Sequence, residues 1–321
     1  MNERLFDIHT NHYHAEVSES MNVPPISILG VGRTDYAPQP GIAIPELVYR
    51  AVNAALTDAG MTMRDVDARV TASVDLWDGL TASNVMITEV VGAVMQPESR
   101  IAGDGLLAAC HGAMSIMSGA YHTVLIVAHC KSTMGDRWGI TNWTFDPIYQ
   151  QPLGLNDYYA AALQVSALHS PASSPCPPAD GAAAIILSSN PAPITIRGMG
   201  WALDEHYLGD RDLTDSPALR KAARRAYDLA GIIDPKHDLT LAELSDHFAY
   251  QRALWASILG LNGFPHLNLS GGLARGVPPF VAGLNSLIEI VLRLREKTGA
   301  GLAHGCWGPA GQGQVVMVVK Q

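Results

Sequence analysis

Residues 102–127 read AGDGLLAACHGAMSIMSGAYHTVLIV, and this stretch is the most informative part of the chain about its fold. Asp104 stands where a helix N-cap is expected, and Gly119 stands where that helix would end. The residues between them are apolar nearly all round, which is typical of a helix buried on every side. The apolar run 124–128 that follows is typical of a buried strand. The stretch therefore predicts a buried helix over 104–119 that leads into an internal strand.

An alternation of strands and helices extends over the rest of the chain. The pattern occurs twice, over 25–190 and over 191–321, so we predict a duplicated α/β unit. Such alternation predicts mixed, mostly parallel sheets with helices on both faces. The predicted helices are 44–59, 82–94, 104–119, 217–230, 250–259 and 279–295. The predicted strands are 26–30, 68–74, 100–102, 124–128, 183–187, 194–196, 239–244, 266–269, 301–304 and 315–320.

The composition argues against two classes of partner. The chain has 321 residues, 48% of them hydrophobic, which is enough for a large buried core. Its net charge of −9 argues against binding nucleic acid, because phosphate contacts need clustered Lys and Arg. The longest apolar run, 277–294, is interrupted by prolines, Asn285 and Glu289, so it does not predict a membrane span. We therefore expect neither a nucleic acid nor a membrane as partner.

The cysteines and the N-terminal histidines do not predict a metal site. His9, His12 and His14 lie in a polar segment, 1–24, which we interpret as a solvated or partner-contacting tail. The cysteines form no C-x-x-C pair, and we interpret them as reduced thiols of a cytoplasmic protein without a signal peptide. They are Cys110, Cys130, Cys176 and Cys306.

Three stretches carry a resemblance to a known family. They are 102–127, then ELSDHFA at 243–249, then NLSGGLARGVP at 268–278. In order, they resemble the nucleophile helix, the H-D-A-F loop and the N-P-S-G-G…G-H-P loop of thiolases, and most closely the sterol-carrier-type branch with its aldolase-like relatives. The resemblance implies two βαβαβαββ halves in a five-layer α-β-α-β-α sandwich, with helices 104–119 and 279–295 in the middle. It also implies that the long loop domain of thiolases is shortened here to 135–179.

The side chains that react in a thiolase are missing from the matched positions. Ala102 stands in place of the nucleophilic cysteine, Val277 in place of the G-H-P histidine and Ser245 in place of the H-D-A-F histidine. Alanine has no nucleophilic atom and valine cannot carry a proton, so the resemblance implies no acyl-enzyme at the usual site. Cys306, in the loop 306–313, resembles the second, C-terminal cysteine of the family. An alternative alignment would make Cys110 the nucleophile, two turns inside the helix.

Proton transfer would then depend on polar residues near the three loops. We predict Ser245, Asp246, His247, Tyr250, His304 and Cys306 as catalytic candidates. Asp246 and Tyr250 also have structural interpretations, in fixing the loop and in the core. Backbone amides beside the helix start and the loop glycines can hold a thioester oxygen without a reactive side chain. The predicted substrate-binding residues are Ala102, Gly103, Asp104 (interpreted first as an N-cap), Gly271, Gly272, Gly276, Val277 and Gly308.

These residues favour one function and leave two alternatives. The favoured function is non-covalent aldol or retro-aldol chemistry on an acyl thioester or a related carbonyl substrate, together with a small partner protein. We expect no cofactor, with a coenzyme A thioester as a possible substrate. One alternative is a catalytically silent subunit that scaffolds an active partner. The other is an acyltransferase that uses Cys306.

The resemblance also implies partners. Thiolases are dimers at least, joined along the strand before the nucleophile helix, which corresponds to residues 100–103 here. Relatives in the same branch often work with a small companion that combines a zinc ribbon with an OB fold, so we expect such a partner. The aromatic-rich segment 138–159 is either its docking surface or a self-packed loop.

Overall fold

The computed structural model describes residues 25–80, 82–171, 174–272 and 276–321. The tail with His9, His12 and His14 lies outside the described residues, so its interpretation stays a prediction. The described strands are β1 (Ile26–Arg33), β2 (Ala68–Ala72), β3 (Glu98–Ile101), β4 (Thr123–Lys131), β5 (Asp180–Ser188), β6 (Thr195–Leu203), β7 (Leu241–Glu243), β8 (Ala300–Trp307) and β9 (Gly313–Lys320). The described α-helices are α1 (Ile44–Ala59), α2 (Asp75–Asp78), α3 (Gly105–Met117), α4 (Arg137–Asn142), α5 (Asp157–Ala167), α6 (Pro217–Ala230), α7 (Pro235–Asp238), α8 (Gln251–Ile258) and α9 (Ala282–Leu294).

The described strands form one nine-stranded sheet in the order β3-β2-β4-β5-β1-β6-β9-β8-β7. From the centre outward, β1, β5, β4 and β2 on one side correspond to β6, β9, β8 and β7 on the other. The two halves of the chain therefore have the same topology, which confirms the predicted duplication. The halves join where β1 pairs with β6, through Ile26 with Ile196 and Ser27 with Thr195.

The strand directions differ from the mostly parallel sheets that the sequence predicted. β2 runs parallel to β3 and β4, and β7 runs parallel to β8. The other described pairs are antiparallel. A parallel pair needs a crossover connection, usually a helix, and the short loop between β8 and β9 does not provide one. β9 therefore returns antiparallel to β8, and in the first half β5 is likewise antiparallel to β4, although a long segment with α4 and α5 connects them.

The layers of the molecule follow from which helices pack on which half of the sheet. α1 packs on β1, β4 and β5, and α6 packs on β6, β9 and α8. Between the halves, α3 packs on α9 and also contacts strands of both halves. Every residue of α9 from Ala282 to Val291 is buried, as expected for a helix with protein on all sides. This order confirms the predicted five-layer α-β-α-β-α sandwich.

Matching glycines let α1 and α6 pack close to their strands. A Cβ added to Gly32 in β1 would lie 2.3 Å from the carbonyl oxygen of Ala51 in α1. A Cβ added to Gly200 in β6 would lie 2.2 Å from the carbonyl oxygen of Ala222 in α6. Both contacts are far shorter than van der Waals distance, so only glycine fits at these positions without movement of the helix. Gly32 and Gly200 are each the last residue of a Gly-x-Gly triplet, so the duplication is also visible in the sequence.

The predicted helix 82–94 is wrong. A short 3₁₀-helix, Ser83–Ile87, is followed by turns that end at Gly92, whose φ is 68°. The segment contains several β-branched residues, which lose side-chain freedom in an α-helix. Ile87 and Val91 are buried against the outer face of the first half, so packing rather than helical periodicity explains the apolar residues here.

The predicted strand 266–269 is also wrong. A single parallel bridge joins Leu267 to Ala242. Asn268 has a φ of 48°, outside the strand region. Its side chain accepts from the Leu244 N–H over 2.6 Å and donates to the Leu244 carbonyl over 3.0 Å. Backbone bonds join His266 and Asn268 to Ala242, and the side chain of Asn268 replaces the next backbone bonds, those to Leu244.

Candidate active site

A cavity of about 250 Å³ lies where the start of α3, the end of β8 and the segment 135–179 meet. It is lined by side chains from both halves of the chain, is partly open to solvent, and is apolar over most of its wall. Trp77 and Phe280 form one side of the wall, edge to face with ring centroids 5.7 Å apart. The lining residues are Val74, Trp77, Ala102, Arg137, Thr141, Thr144, Asp157, His247, Phe248, Gln251, Pro279, Phe280, Cys306, Trp307, Gly308, Pro309, Ala310, Gly311 and Gln312.

The start of α3 brings Ala102 to this cavity. Ala102 follows β3 directly and its side chain is exposed in the cavity wall. Gly103 lies against the ring of Trp307, where an added Cβ would be 3.5 Å from the ring. The positive end of the helix dipole of α3 is therefore close to the cavity.

Asp104 acts as a structural clamp. Its side chain is buried, caps α3 by accepting from the Leu106 N–H over 2.8 Å, and accepts from the Gly283 N–H at the start of α9 over 2.9 Å. Burial raises the pKa of Asp104 to about 7, against the lowering effect of these two hydrogen bonds. The N-cap interpretation is confirmed, and Asp104 is not among the residues that line the cavity.

Cys306 lies at the end of β8 and contributes to the cavity wall. It is fully buried, and its thiol donates to the Ser245 carbonyl oxygen over 3.4 Å. Burial raises the pKa of Cys306 well above that of an ordinary thiol, and the nearby Asp104 raises it further. The sulfur is therefore a neutral thiol near pH 7, and this disfavours attack by a thiolate.

His247 extends from the loop after β7 into the same cavity as Ala102. Its Nε2 lies 3.0 Å from the Cys306 carbonyl oxygen, and it must be the donor because a carbonyl oxygen can only accept. Burial lowers the pKa of His247 to about 4, so the imidazole is neutral near pH 7. With the proton on Nε2, the lone pair is on Nδ1, which can accept a proton.

Ser245 and Asp246 precede His247 but do not line the cavity. Ser245 is buried, and its hydroxyl has no hydrogen-bond partner among the described residues. The carboxylate of Asp246 forms an ion pair with Arg252, with 2.8 Å between Oδ2 and Nε. This contact agrees with the structural interpretation of Asp246, which fixes the loop to α8.

Tyr250 and His304 also lie outside the cavity wall. The Tyr250 hydroxyl donates to Gln164 Oε1 over 2.7 Å, and burial raises its pKa. His304 is fully buried in β8 and donates from Nε2 to Gln314 Oε1 over 2.7 Å. Burial lowers the pKa of His304 to about 4. Both side chains therefore connect parts of the core beneath the site.

The remaining predicted substrate-binding residues do not all line the same cavity. Gly308 lines the main cavity, whereas Val277 and Gly272 line a separate space of about 90 Å³ beside Arg33 and Tyr36. Val277 is buried against Cys176 and Ala282. Gly271 and Gly276 have φ values of 95° and 72° and line neither space. Val277, which stands in place of the G-H-P histidine, therefore packs into the core.

Four cavity residues come from the segment 135–179 and were missed by the motif comparison: Arg137, Thr141, Thr144 and Asp157. Burial raises the pKa of Asp157 to about 6, and its Oδ1 has no hydrogen-bond partner among the described residues. The signal that could have found them is a pair of helix caps, because Asp136 caps α4 and Asn156 caps α5. Arg137 and Asp157 are the first residues of these two helices.

No three His, Cys, Asp or Glu side chains within the described ranges are grouped so that they could hold a metal ion. Every helix in that part of the chain is too short or too polar to span a lipid bilayer.

The duplicated halves, the paired central helices and the cavity at the start of α3 define a thiolase-type architecture, and solved structures show the same fold. The chain superposes on human mitochondrial 3-ketoacyl-CoA thiolase with a TM-score of 0.71 and 16% identity, over 93% of this chain and 99% of the other. The same enzyme in complex with CoA gives a TM-score of 0.71 and 16% identity, over 93% and 98%. A monomeric SCP2-thiolase-like protein type 1 from Mycobacterium smegmatis gives 0.68 and 19%, over 93% and 77%.

No protein-family model matches the chain, and no curated protein matches it by sequence. The identities of 16–19% to the solved structures establish the fold and not the activity. This chain has the thiolase fold.

Proposed function

We propose that this protein is a member of the thiolase superfamily that makes or breaks a carbon–carbon bond by aldol-type chemistry without an acyl-enzyme. The observation that carries the proposal is the pairing of Ala102 and His247 in one cavity. A methyl group occupies the position in front of α3, while a neutral imidazole with a free lone pair on Nδ1 faces the same space. A site of this kind can move a proton but cannot hold an acyl group there.

In the cleavage direction, His247 takes the proton of the β-hydroxyl group of an acyl thioester. The bond between the α and β carbons breaks, its electron pair forms the thioester enolate, and the β carbon leaves as an aldehyde or ketone. The imidazolium of His247 then gives its proton to the α carbon, which restores the neutral ring. Because the pKa of His247 is lowered to about 4, the imidazolium is a strong acid for this second step.

The negative charge of the enolate oxygen is stabilised by the start of α3. Backbone amides and the positive end of a helix dipole favour an anion without any reactive side chain. Cys306, held as a neutral thiol by its bond to the Ser245 carbonyl, forms part of the wall and is not the nucleophile. The proposed reaction needs no metal or redox cofactor. Its proposed substrate is a coenzyme A thioester.

The second candidate function is a catalytically silent subunit, and exposed side chains of the 138–159 segment favour it. Trp143, Ile148, Tyr149 and Leu153 are each 68–76% exposed, whereas Phe145 of the same segment is buried. Apolar side chains exposed together are typical of an interaction surface. A small zinc-ribbon and OB-fold companion remains the proposed occupant of this surface. Acyl transfer by Cys306 is the third candidate function. The burial of the Cys306 thiol and its raised pKa argue against this function.

The test is turnover of 3-hydroxyacyl and 3-oxoacyl thioesters, with the carbonyl product and the shortened thioester followed by mass spectrometry. His247→Gln retains a side-chain amide that can donate to the Cys306 carbonyl but removes the basic nitrogen. We expect it to lower kcat by about 100-fold or more. Cys306→Ala should retain measurable cleavage.

Other outcomes decide between the candidates. A mass adduct on Cys306 during turnover would support acyl transfer instead. Absence of turnover in the wild-type protein, both alone and with a companion that copurifies with it, would support the silent subunit.

A further inference from the structure

The first residue of α4, Arg137, places a positive charge inside the wall of the cavity that holds Ala102 and His247. One nitrogen of its guanidinium, Nη1, donates to the Cys176 carbonyl over 3.1 Å. The guanidinium carbon lies 4.9 Å from the centre of the Trp138 ring. The Nε atom is buried and has no acceptor among the described residues. Trp138 and Cys176 therefore hold the guanidinium group of Arg137 in place, but its Nε–H donor has no acceptor among the described residues.

Arg137 forms no ion pair in the part of the chain that the structure describes. Ten ion pairs occur there within 4.0 Å, and Arg137 takes part in none of them. Asp157 is the one carboxyl group among the residues that line the cavity, and it is outside the 4.0 Å of an ion pair with Arg137. Arg137 lowers the pKa of Asp157, but the larger effect of burial raises it to about 6. A guanidinium cannot lose its charge in a protein, so its partial burial costs free energy unless an anion binds it.

The small volume of the cavity limits which part of a substrate can carry the anion that binds Arg137. A volume of about 250 Å³ corresponds to roughly eight water molecules at ~30 Å³ each. Arg137, Ala102, His247 and Cys306 all line this one small space. The phosphates of a coenzyme A thioester are separated from the thioester by the whole pantetheine arm. An anion that reaches Arg137 while the thioester lies beside Ala102 must therefore be part of the short acyl group.

We propose that Arg137 forms a carboxylate-binding subsite, so that the substrate is a short acyl thioester with a second, free carboxylate at the far end of its acyl chain. A guanidinium and a carboxylate match in geometry through two parallel hydrogen bonds. The subsite rests on the proposed function, because that function places the thioester in this cavity. It excludes plain fatty acyl chains, whose apolar end would leave the guanidinium unpaired.

The probe is the N-acetylcysteamine thioester of 3-hydroxyglutarate, which carries a free carboxylate and no phosphate. The matched ligand has a carboxamide in place of that carboxylate and is otherwise identical. Binding of both to the wild-type chain, measured by calorimetry, should favour the carboxylate by about ten-fold or more. Arg137→Gln should remove this preference, and Arg137→Lys should retain part of it because the charge remains.

Arg50→Gln, on the exposed face of α1, is the control and should keep the full preference. Circular dichroism of each variant checks that the chain is folded, and Arg137→Lys tests the subsite if Arg137→Gln does not fold. Equal binding of the two ligands to the wild-type chain overturns the proposal, as does a preference that survives Arg137→Gln. Weaker binding of free coenzyme A to Arg137→Gln, with both small thioesters unaffected, overturns it in favour of a phosphate contact.

The two proposals fail separately. If the carboxylate ligand binds through Arg137 but is never cleaved, the subsite stands and the aldol function fails. If the carboxamide thioester is bound and cleaved as well as the carboxylate one, the aldol function stands and the subsite fails.

Discussion

At the residue scale, His247 and His304 show how position separates two side chains of the same kind. Burial lowers the pKa of each to about 4, and each donates from Nε2 to an oxygen of the protein. His247 lines the cavity, whereas His304 lies beneath it and supports Gln314, which in turn donates to the Gly311 carbonyl. A histidine with a lowered pKa can therefore take part in the proposed chemistry at one position, His247, and stabilise the fold at another, His304.

His304 makes folding depend on pH in a predictable direction. Its folded pKa of about 4 is below the 6.5 of an ordinary histidine, so the unfolded chain takes up the proton first as the pH falls. The stabilisation is complete above pH 6.5, decreases as the pH falls from 6.5 to about 4, and changes little below that. Relative to His304→Gln, we expect the wild-type chain to lose on the order of 3 kcal/mol of unfolding free energy between pH 7 and pH 4. Urea unfolding at a series of pH values measures this difference.

His206→Gln, at an exposed position, is the control for replacing a histidine by glutamine. Its unfolding free energy should follow the wild-type curve, which includes the opposite effect of Asp104 and Asp157, whose raised pKa values favour the folded state as the pH falls. Parallel curves for wild type and His304→Gln would contradict the assignment of a neutral, buried His304.

At the scale of elements, the close contacts of β1 with α1 and of β6 with α6 fix the two outer layers. In each half a glycine faces a backbone carbonyl of the helix across a gap that no side chain can enter. Backbone atoms cannot move aside without moving the whole helix, so these positions tolerate substitution poorly.

We expect Gly32→Ala and Gly200→Ala each to lower the unfolding free energy by about 2 kcal/mol or more. The added methyl carbon would be placed 2.3 Å and 2.2 Å from helix carbonyl oxygens. Gly209→Ala is the matched control, because nothing lies within 4 Å of its added Cβ, and it should be close to neutral. Denaturant titration of the three variants is the measurement, and a neutral Gly200→Ala would refute the tight packing of α6 on β6.

At the scale of the whole molecule, the sheet ends at β3, which has β2 on one side and no described strand on the other. Next to it, Met95 is 95% exposed and Val94 is 56% exposed. An open strand edge beside exposed apolar side chains is typical of an interface. The predicted homodimer, joined near residues 100–103, would cover this edge.

We expect light scattering after gel filtration to give twice the mass of the 34.2 kDa chain for the wild-type protein. Met95→Asp should shift the protein to the monomer at micromolar concentration, because a buried, unpaired carboxylate opposes association. Aspartate tolerates the left-handed φ of 56° at this position, so the fold of the chain should be retained. Leu229→Asp, at an exposed site on α6, is the control and should remain a dimer. A monomeric wild-type protein would refute the predicted dimer.

The sequence determined the elements whose signals are local. Helices Ile44–Ala59 and Pro217–Ala230 were predicted with their observed bounds, because a proline in the first turn and a glycine after the end mark both. The duplication was predicted from the repeated alternation of strands and helices, and the buried helix α3 from its apolar residues on all sides. Ala102 was predicted from the resemblance of 102–127 to the nucleophile helix of thiolases. All of these signals are read from the order of residues along the chain.

The tertiary structure decided which polar side chains share a cavity. Arg137, Asp157, His247 and Cys306 are separated by up to 169 positions in the chain, and no spacing rule connects them. It also placed Val277 and His304 in the core, although their motifs suggested the site. Periodicity and capping act over a few residues, whereas a cavity is formed by long-range packing of loops whose direction is set by buried contacts and hydrogen bonds. For that reason the fold was predictable from the sequence, and the composition of the site was not.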